Sequence, residues 1–373
     1  MTAQDTAPLR RRGLIAPHTF EDVFDVPGSI RAMAVLRIVL APVVVVHLWP
    51  FLVDTLDGVS YLDHFNEPWF TFLPQAPAGA QVALIWTGVA GAVAMGLGWH
   101  TRLAAPLTTV CVAGNFFLSQ RHFRHNRAFL IFLLVAVALS DSGRILSLDA
   151  RRRRSDGVGP PDDRATLWPL WLLRIMASSV YLASGISKLI DPDWAGGLVL
   201  WDRAVRHQHL VATRVPEPIA GWVVDLVTQR WVHAVTSPLA VAMEVCIGVG
   251  LWFGRTRIAA VWVAVLFHLS IELSASVEVF SLAAVAALAI WATPSTRDRR
   301  VVVSDDAMAG RIRRLDWLAR FDVRVDPGAA AEPHGVEVHD RDGSTLHGRE
   351  ALQMVRSRLP LTFFIVAPRN RWR

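Results

Sequence analysis

Tyr181-Leu-Ala-Ser-Gly-Ile-Ser-Lys188-Leu-Ile-Asp191-Pro-Asp193-Trp194 decides how this chain is read. The stretch opens as the end of an apolar helix, carries one lysine at its rim and breaks at Pro192. Two readings of Lys188 are open. It can be a snorkelling lysine that marks where a helix meets the headgroups. It can also be a partly desolvated amine able to act as a base. Hydrocarbon on one side disfavours its charge, while Asp191 and Asp193 just beyond it favour that charge.

Outward from this stretch the chain is apolar in long runs. Of its 373 residues 53% are hydrophobic and 19% charged, with mean hydropathy +0.35, which excludes an ordinary soluble enzyme. Runs of roughly twenty apolar residues are the length that crosses a bilayer as a helix. Eight are expected, near 31–53, 80–98, 103–120, 127–146, 166–190, 233–253, 256–274 and 277–293. Fifteen tryptophans against two tyrosines fit anchoring at the headgroup level. The expected fold is therefore an all-α polytopic membrane bundle of about eight transmembrane helices with a small cytoplasmic α/β tail.

The net charge of +6 sits mainly in short loops beside apolar spans, so topology and anionic lipid account for it without nucleic acid as a partner. Arg10–Arg12 with Arg31, His100–Arg102, Arg144 with Arg151–Arg154, Arg255–Arg257 and Arg297–Arg300 fall on one side if every span crosses. The positive-inside rule then places both termini in the cytoplasm and the protein, multi-pass, in the plasma membrane. In this scheme the Arg151–Arg154 run is a topology anchor. The basic loop Arg121–Arg127 falls on the opposite side and breaks the rule, through function or through a miscounted span. Residues 1–29 lack the apolar core of a cleavable signal. Cys111 and Cys246 lie in apolar runs, form no CxxC and have no metal-ligand spacing, so no metal is expected.

The division is a cytoplasmic segment 1–29, a transmembrane domain 30–295 and a cytoplasmic domain 296–373. In that last domain Val301–Val303 reads as a strand, Arg311–Arg320 as a helix and Gly335–Val338 as a second strand. A short third strand at Ser344–Leu346 and a closing helix at Arg349–Leu359 follow. Between spans five and six, Ile219–Val227 reads as a short helix on the outer face, in a segment punctuated by Gly196-Gly197, Pro216 and Pro218.

Ionisable groups at membrane depth are candidates for function because each costs roughly 2.5–3.5 kcal/mol at mid-helix. Arg37 and Arg174 enter from the cytoplasmic side and read as structural buried charges, with Glu244 of span six as the partner of one of them. Lys188, His125, Asn126, His268, Glu272 and His47 all fall at outer ends of their spans. With Arg124 and Trp194 beside them, they predict one shared cavity open to the outer leaflet. Such a cavity suits a lipophilic substrate whose polar head meets a base. No GxGxxG, P-loop, HExxH or GxSxG pattern is present to credit another chemistry.

Residues 20–295 resemble the HTTM family, the membrane domain shared with vitamin K-dependent γ-carboxylase. The resemblance is carried by Arg37-Ile, His125-Asn126, Asp141 to Ser147-Leu-Asp149, Gly185-Ile-Ser-Lys188-Leu-Ile-Asp191-Pro-Asp193-Trp194-Ala-Gly196, and Phe267-His268. It implies that Lys188 is the base acting on reduced vitamin K or menaquinol, with His125, Asn126 and His268 as catalytic partners. Trp194, Glu272, His47 and Arg124 would bind substrate. O2 and CO2 or bicarbonate would be co-substrates if the carboxylase chemistry is retained, and no metal is implied. This chain has Ser187-Lys188 where the eukaryotic enzyme has paired lysines, and His125-Asn126 where that enzyme has the reverse order. It also lacks a large lumenal region after the spans, which weighs against processive glutamate carboxylation. Some HTTM proteins are membrane subunits in maturing a secreted toxin peptide. A non-enzymatic scaffold or export partner, with a secreted peptide or a companion membrane protein as its partner, is therefore the alternative. The tail resembles the DCC family of thioredoxin-like proteins through Val301–Asp306, Asp340-Arg-Asp-Gly343 and Gly348–Leu352. Ser304 to Met308 carries no sulfur nucleophile where that family's two cysteines stand, and thiol–disulfide exchange needs a thiolate.

Overall fold

The computed structural model describes residues 28–58, 67–70, 72, 76–157, 163–253, 256–274, 278–291, 299–316, 318–328, 333–340 and 343–359. Expectations for Arg10–Arg12, Arg255 and Arg297, and for most of the 1–29 segment, lie outside the described residues. A short strand β1 (Gly28–Ser29) precedes α1 (Arg31–Leu56), α2 (Ala78–Leu97), α3 (Thr101–Phe117), α4 (His125–Ala138) and α5 (Leu148–Ser155). Strand β2 (Arg164–Ala165) pairs antiparallel with β1 and so braces the entry to α1. Next come α6 (Trp168–Leu189), the short helices α7 (Pro192–Ala195), α8 (Leu198–Arg206), α9 (Gln208–Arg214) and α10 (Glu217–Val227), and then α11 (Arg230–Gly250), α12 (Arg257–Ser274) and α13 (Phe280–Ala287).

A helix stands at each of the eight expected places, and among the described residues four of these helices are long and apolar enough to cross a membrane: α1, α2, α6 and α11. A membrane bundle is thus supported, while eight full spans are not confirmed. The 14 residues of α4 reach about 21 Å at 1.5 Å per residue, short of the hydrocarbon thickness. The helix stops at Ala138, before Ser140-Asp141-Ser142-Gly143, where the Ser140 hydroxyl bonds nearby backbone and the Asp141 carboxylate pairs with the Arg144 guanidinium. The last helix, α13, tightens into a 3-10 turn at Leu288–Trp291.

Helix α1 is central and buried on most faces. Leu36, Leu40, Val44 and Leu48, one turn apart, are fully enclosed and pack in one core with residues of α2, α4, α6, α12 and α13. Helix α6 packs antiparallel to α11 at close range. A side chain at Gly185 would bring its Cβ within 2.9 Å of Val245 Cγ2, so only glycine permits this approach. Helices α7 to α10 lie over the end of this pair, where Gly197 holds φ +74° against the backbone of His233.

The tail is a small α/β unit. It comprises β3 (Arg300–Val303), α14 (Asp306–Leu315), β4 (Asp322–Val325), β5 (Val336–His339), β6 (Thr345–His347) and α15 (Gly348–Arg358). Its sheet order is β4-β3-β5-β6, parallel between β3 and β4 and antiparallel elsewhere. Helix α14 lies five residues upstream of the expected Arg311–Arg320, because Asp305 caps its start by accepting from Met308 N. Strand β4 is an addition to the expected elements. It is a short Asp-Val-Arg-Val run whose alternation is too brief to read alone.

Candidate functional site

Tyr181, Ser184 and Lys188 are three and four residues apart on α6, so they share one helix face. Glu244 of α11 meets that face. Lys188 Nζ donates to Glu244 Oε1 at 2.6 Å and Ser184 Oγ donates to the same oxygen at 3.1 Å. The Lys188 side chain is 20% exposed and that of Glu244 6%, so the pair is largely withdrawn from solvent. Trp194 lies against it, with Lys188 Nζ 4.7 Å from the indole centroid. The Asp191 carboxylate turns the other way and accepts from Asp193 N at the start of α7.

This pairing corrects the assignment of Glu244 to Arg37 or Arg174. Both arginines donate to backbone carbonyls, with Arg37 Nε alone left over. Arg37 donates to the carbonyls of Met95, Gly96 (3.0 Å) and Leu146 (2.7 Å), clamping the end of α2 to the chain after α4. Arg174 donates twice to the Ile290 carbonyl, at 3.1 and 2.9 Å, between the rings of Trp171 and Trp291.

Behind the Lys188–Glu244 pair lies a small apolar cavity walled by Phe129, Phe267, Phe280 and Ala284, into which Tyr181, Ser184, Glu244, His268 and Trp291 also contribute. Its volume is about 30 Å³, room for a water or two. The Tyr181 hydroxyl lies 2.7 Å from His268 Nε2. Three further atoms of this lining are buried with no hydrogen-bond partner: Glu244 Oε2, His268 Nδ1 and Trp291 Nε1. Orphaned polar groups in low dielectric are costly, and three around one cavity mark a place where a polar ligand or water belongs. The cavity in this conformation has room only for water.

The other expected site residues fall elsewhere. His47 of α1 is buried beside Phe51, which contacts His122 on its other side. Arg127 stacks over Phe51 and bridges to Glu278 at 2.8 Å. His125 is exposed and lies edge-on to Phe123, Asn126 Oδ1 accepts from Arg127 N, and Arg124 is exposed with its guanidinium on the Phe123 carbonyl. Glu272 accepts on its backbone carbonyl from Arg214, and its Oε2 is buried without a hydrogen-bond partner. The single shared cavity of the sequence reading is thus two clusters, one around Lys188 and His268 and one around His47 and Arg127. The basic loop Arg121–Arg127 that offends the charge rule is partly offset locally, by Glu67 near Arg121 and by Glu278 on Arg127. Tyr181, Ser184 and Trp291 are site residues the sequence reading passed over. Tyr181, one of two tyrosines in the chain, sits two turns before Lys188 on the same face, and that spacing was the available signal.

A family model described as HTTM domain matches residues 26–295, the whole helical region that holds these sites. The chain belongs to the HTTM domain family. It is accordingly a membrane protein of the carboxylase-like family, in keeping with its four candidate spans. Among curated proteins and among solved structures, nothing matches the chain.

Proposed function

We propose that this HTTM protein is a lysine-base enzyme acting on a lipophilic quinol at one face of the membrane, with Lys188 as the base. The observation that carries the reading is the Lys188–Glu244 pair set beside three unpartnered buried polar atoms at one cavity. Along a 2.6 Å hydrogen bond in a poorly solvated site, the ammonium–carboxylate form and the amine–carboxylic acid form differ by one short proton transfer. Glu244 can therefore hold the proton that must leave Lys188 before the amine accepts another. His268, oriented by Tyr181, presents its free Nδ1 to position a hydroxyl group, and Trp194 covers the lysine from the other side. The quinol supplies the electrons for oxygen chemistry, either epoxidation alone or epoxidation coupled to carboxylation. The orientation that fits the positive-inside rule puts the face bearing Arg102, Arg144 and Arg152 in the cytoplasm of a plasma membrane, and the Lys188 face outside. The tail, whose β3–α14–β4 unit and β5–β6 hairpin support a thioredoxin-like reading, would serve as a docking or stabilising domain.

A second reading, the non-enzymatic membrane subunit for a secreted peptide, draws on a different observation. The ion pair is short and the cavity holds only water, as a structural pair would require. One experiment separates the two. Full-length protein in nanodiscs is given reduced vitamin K or menaquinol, bicarbonate and O2, and chromatography follows quinol loss and epoxide formation for wild type, Lys188→Ala and Lys188→Arg. Epoxide made by wild type and by neither variant supports the base. No turnover with any quinol in folded protein overturns it in favour of the scaffold.

A further inference from the structure

The end of the bundle opposite Lys188 holds a wider cavity of about 740 Å³, formed where the starts of α3 and α5 meet the end of α4. Four arginines line it: Arg102, Arg144, Arg152 and Arg153. Two of them are fixed by the protein. Arg144 pairs with Asp141 at 2.8 Å, and Arg153 donates to the carbonyls of Gly143 and Arg144 at 3.3 Å each. The other two, Arg102 and Arg152, are exposed, and their guanidinium groups have no hydrogen bond or ion pair among the described residues.

The cavity also contains two carboxylates, and both are spoken for. Asp141 is bound to Arg144, while Asp149 accepts from His100 N and Thr101 N at 2.9 Å each and from Thr101 Oγ1 at 3.0 Å, capping α3. The balance of four arginines against two engaged carboxylates leaves the cavity cationic. Beside it the surface turns apolar at once: Leu103 is 73% exposed, Leu139 57% and Leu107 46%. A charge-only topology anchor needs neither a concave volume nor an apolar track leading away from it. The Arg151–Arg154 run is in fact divided, since Arg152 and Arg153 line the cavity and Arg151 and Arg154 do not.

We infer that this cavity is a binding site for the phosphodiester headgroup of an anionic phospholipid, its acyl chains lying along Leu103, Leu107 and Leu139. Arg102 and Arg152 close on the phosphate, and the two fixed arginines shape the wall behind it. A single lipid held there would tie the end of α4 and helix α5 to the start of α3, a region where α4 is too short to span the bilayer by itself.

The test uses full-length protein in an uncharged detergent, offered phosphatidylglycerol or phosphatidylcholine, with bound lipid counted by native mass spectrometry. Retention of phosphatidylglycerol over phosphatidylcholine is expected, and the double variant Arg102→Ala/Arg152→Ala should weaken it by about thirtyfold. Arg230→Ala, at the other end of the bundle, should leave retention unchanged. The single variant Arg152→Gln keeps the test decisive if the double variant folds poorly, with an expected loss of about fivefold. Equal retention of both lipids, or of phosphatidylglycerol by wild type and double variant, overturns the site. Displacement of phosphatidylglycerol by inorganic phosphate alone would also overturn it, because the ligand would then be a free anion and not a lipid.

Discussion

Two groups of buried charge stand at different levels of the same bundle, and they are built in opposite ways. Arg37 and Arg174 send their donors to backbone carbonyls at the ends of other elements and stitch those elements together. The cluster of Lys188, Glu244, Tyr181 and His268 bonds side chain to side chain and leaves oxygen and nitrogen atoms over at a cavity. Arg37 has one orphan of its own, Nε, but it lines none of the cavities described above. The difference teaches where to look for chemistry. A guanidinium held by carbonyls cannot accept a proton or readily turn toward a ligand, whereas an amine sharing one hydrogen bond with a carboxylate can do both.

The largest effect that can break this contrast is on turnover. If Lys188 is a base, Lys188→Ala should lower quinol turnover by about 10²–10⁴-fold, the usual contribution of a positioned base. Glu244 left behind can take up a proton, so stability should fall by less than turnover does. Arg37→Met should do the reverse. It strands one buried and two partly buried carbonyls, and the expected cost is about 2 kcal/mol, read as a lower thermal midpoint in nanodiscs with turnover per folded molecule unchanged. A stable Arg37→Met that has lost turnover would dissolve the distinction between the two groups.

Tyr181→Phe sharpens the contrast from inside the site. It removes the partner of His268 Nε2 while keeping the ring, and lets the imidazole turn. A loss of about tenfold in turnover is expected, with about 1 kcal/mol in stability. Because Tyr181 is a positioning residue, the loss should appear in kcat with KM for quinol little changed. A lower thermal midpoint for Tyr181→Phe with no change in kcat would assign Tyr181 to packing alone.

These contrasts mark how far the sequence could be read. Apolar runs located all eight helices, because burial in lipid or core imposes the same composition on each. They could not give the lengths, since α4 stops at polar side chains that its hydropathy average hides. The level of Lys188 was legible, from a lysine followed by Asp-Pro-Asp. Its partner was not. Glu244 looks mid-span when α11 is counted from its ends, and it reaches Lys188 only because Gly185 lets α6 and α11 slide together at that register. Depth alone also grouped His47 and His125 with Lys188. Helices at one depth still point in different directions, and α1 turns His47 toward Phe51 instead.

The smallest expected effect tests the arginine-rich end, where a capping carboxylate replaces a reactive one. Burial pushes the Asp149 carboxyl up, but the N–H groups of Thr101 and His100 and the Thr101 hydroxyl outweigh it and hold it below the usual carboxylate range. A folded-state value lower than the unfolded one means that ionised Asp149 stabilises the fold at and above ordinary carboxylate values. That contribution is lost as pH falls through the lowered value. Thermal midpoints measured down the acid range should therefore decline for wild type, and more shallowly for Asp149→Asn, which has no such charge to lose. Solvent screening at this partly exposed site keeps the difference below about 1 kcal/mol. At neutral pH the Asn variant should sit slightly below wild type, because an amide oxygen accepts the same N–H bonds more weakly than a carboxylate does. Identical acid limbs would mean that the α3 cap is held by packing, and that the arginine-rich cavity stands without help from Asp149.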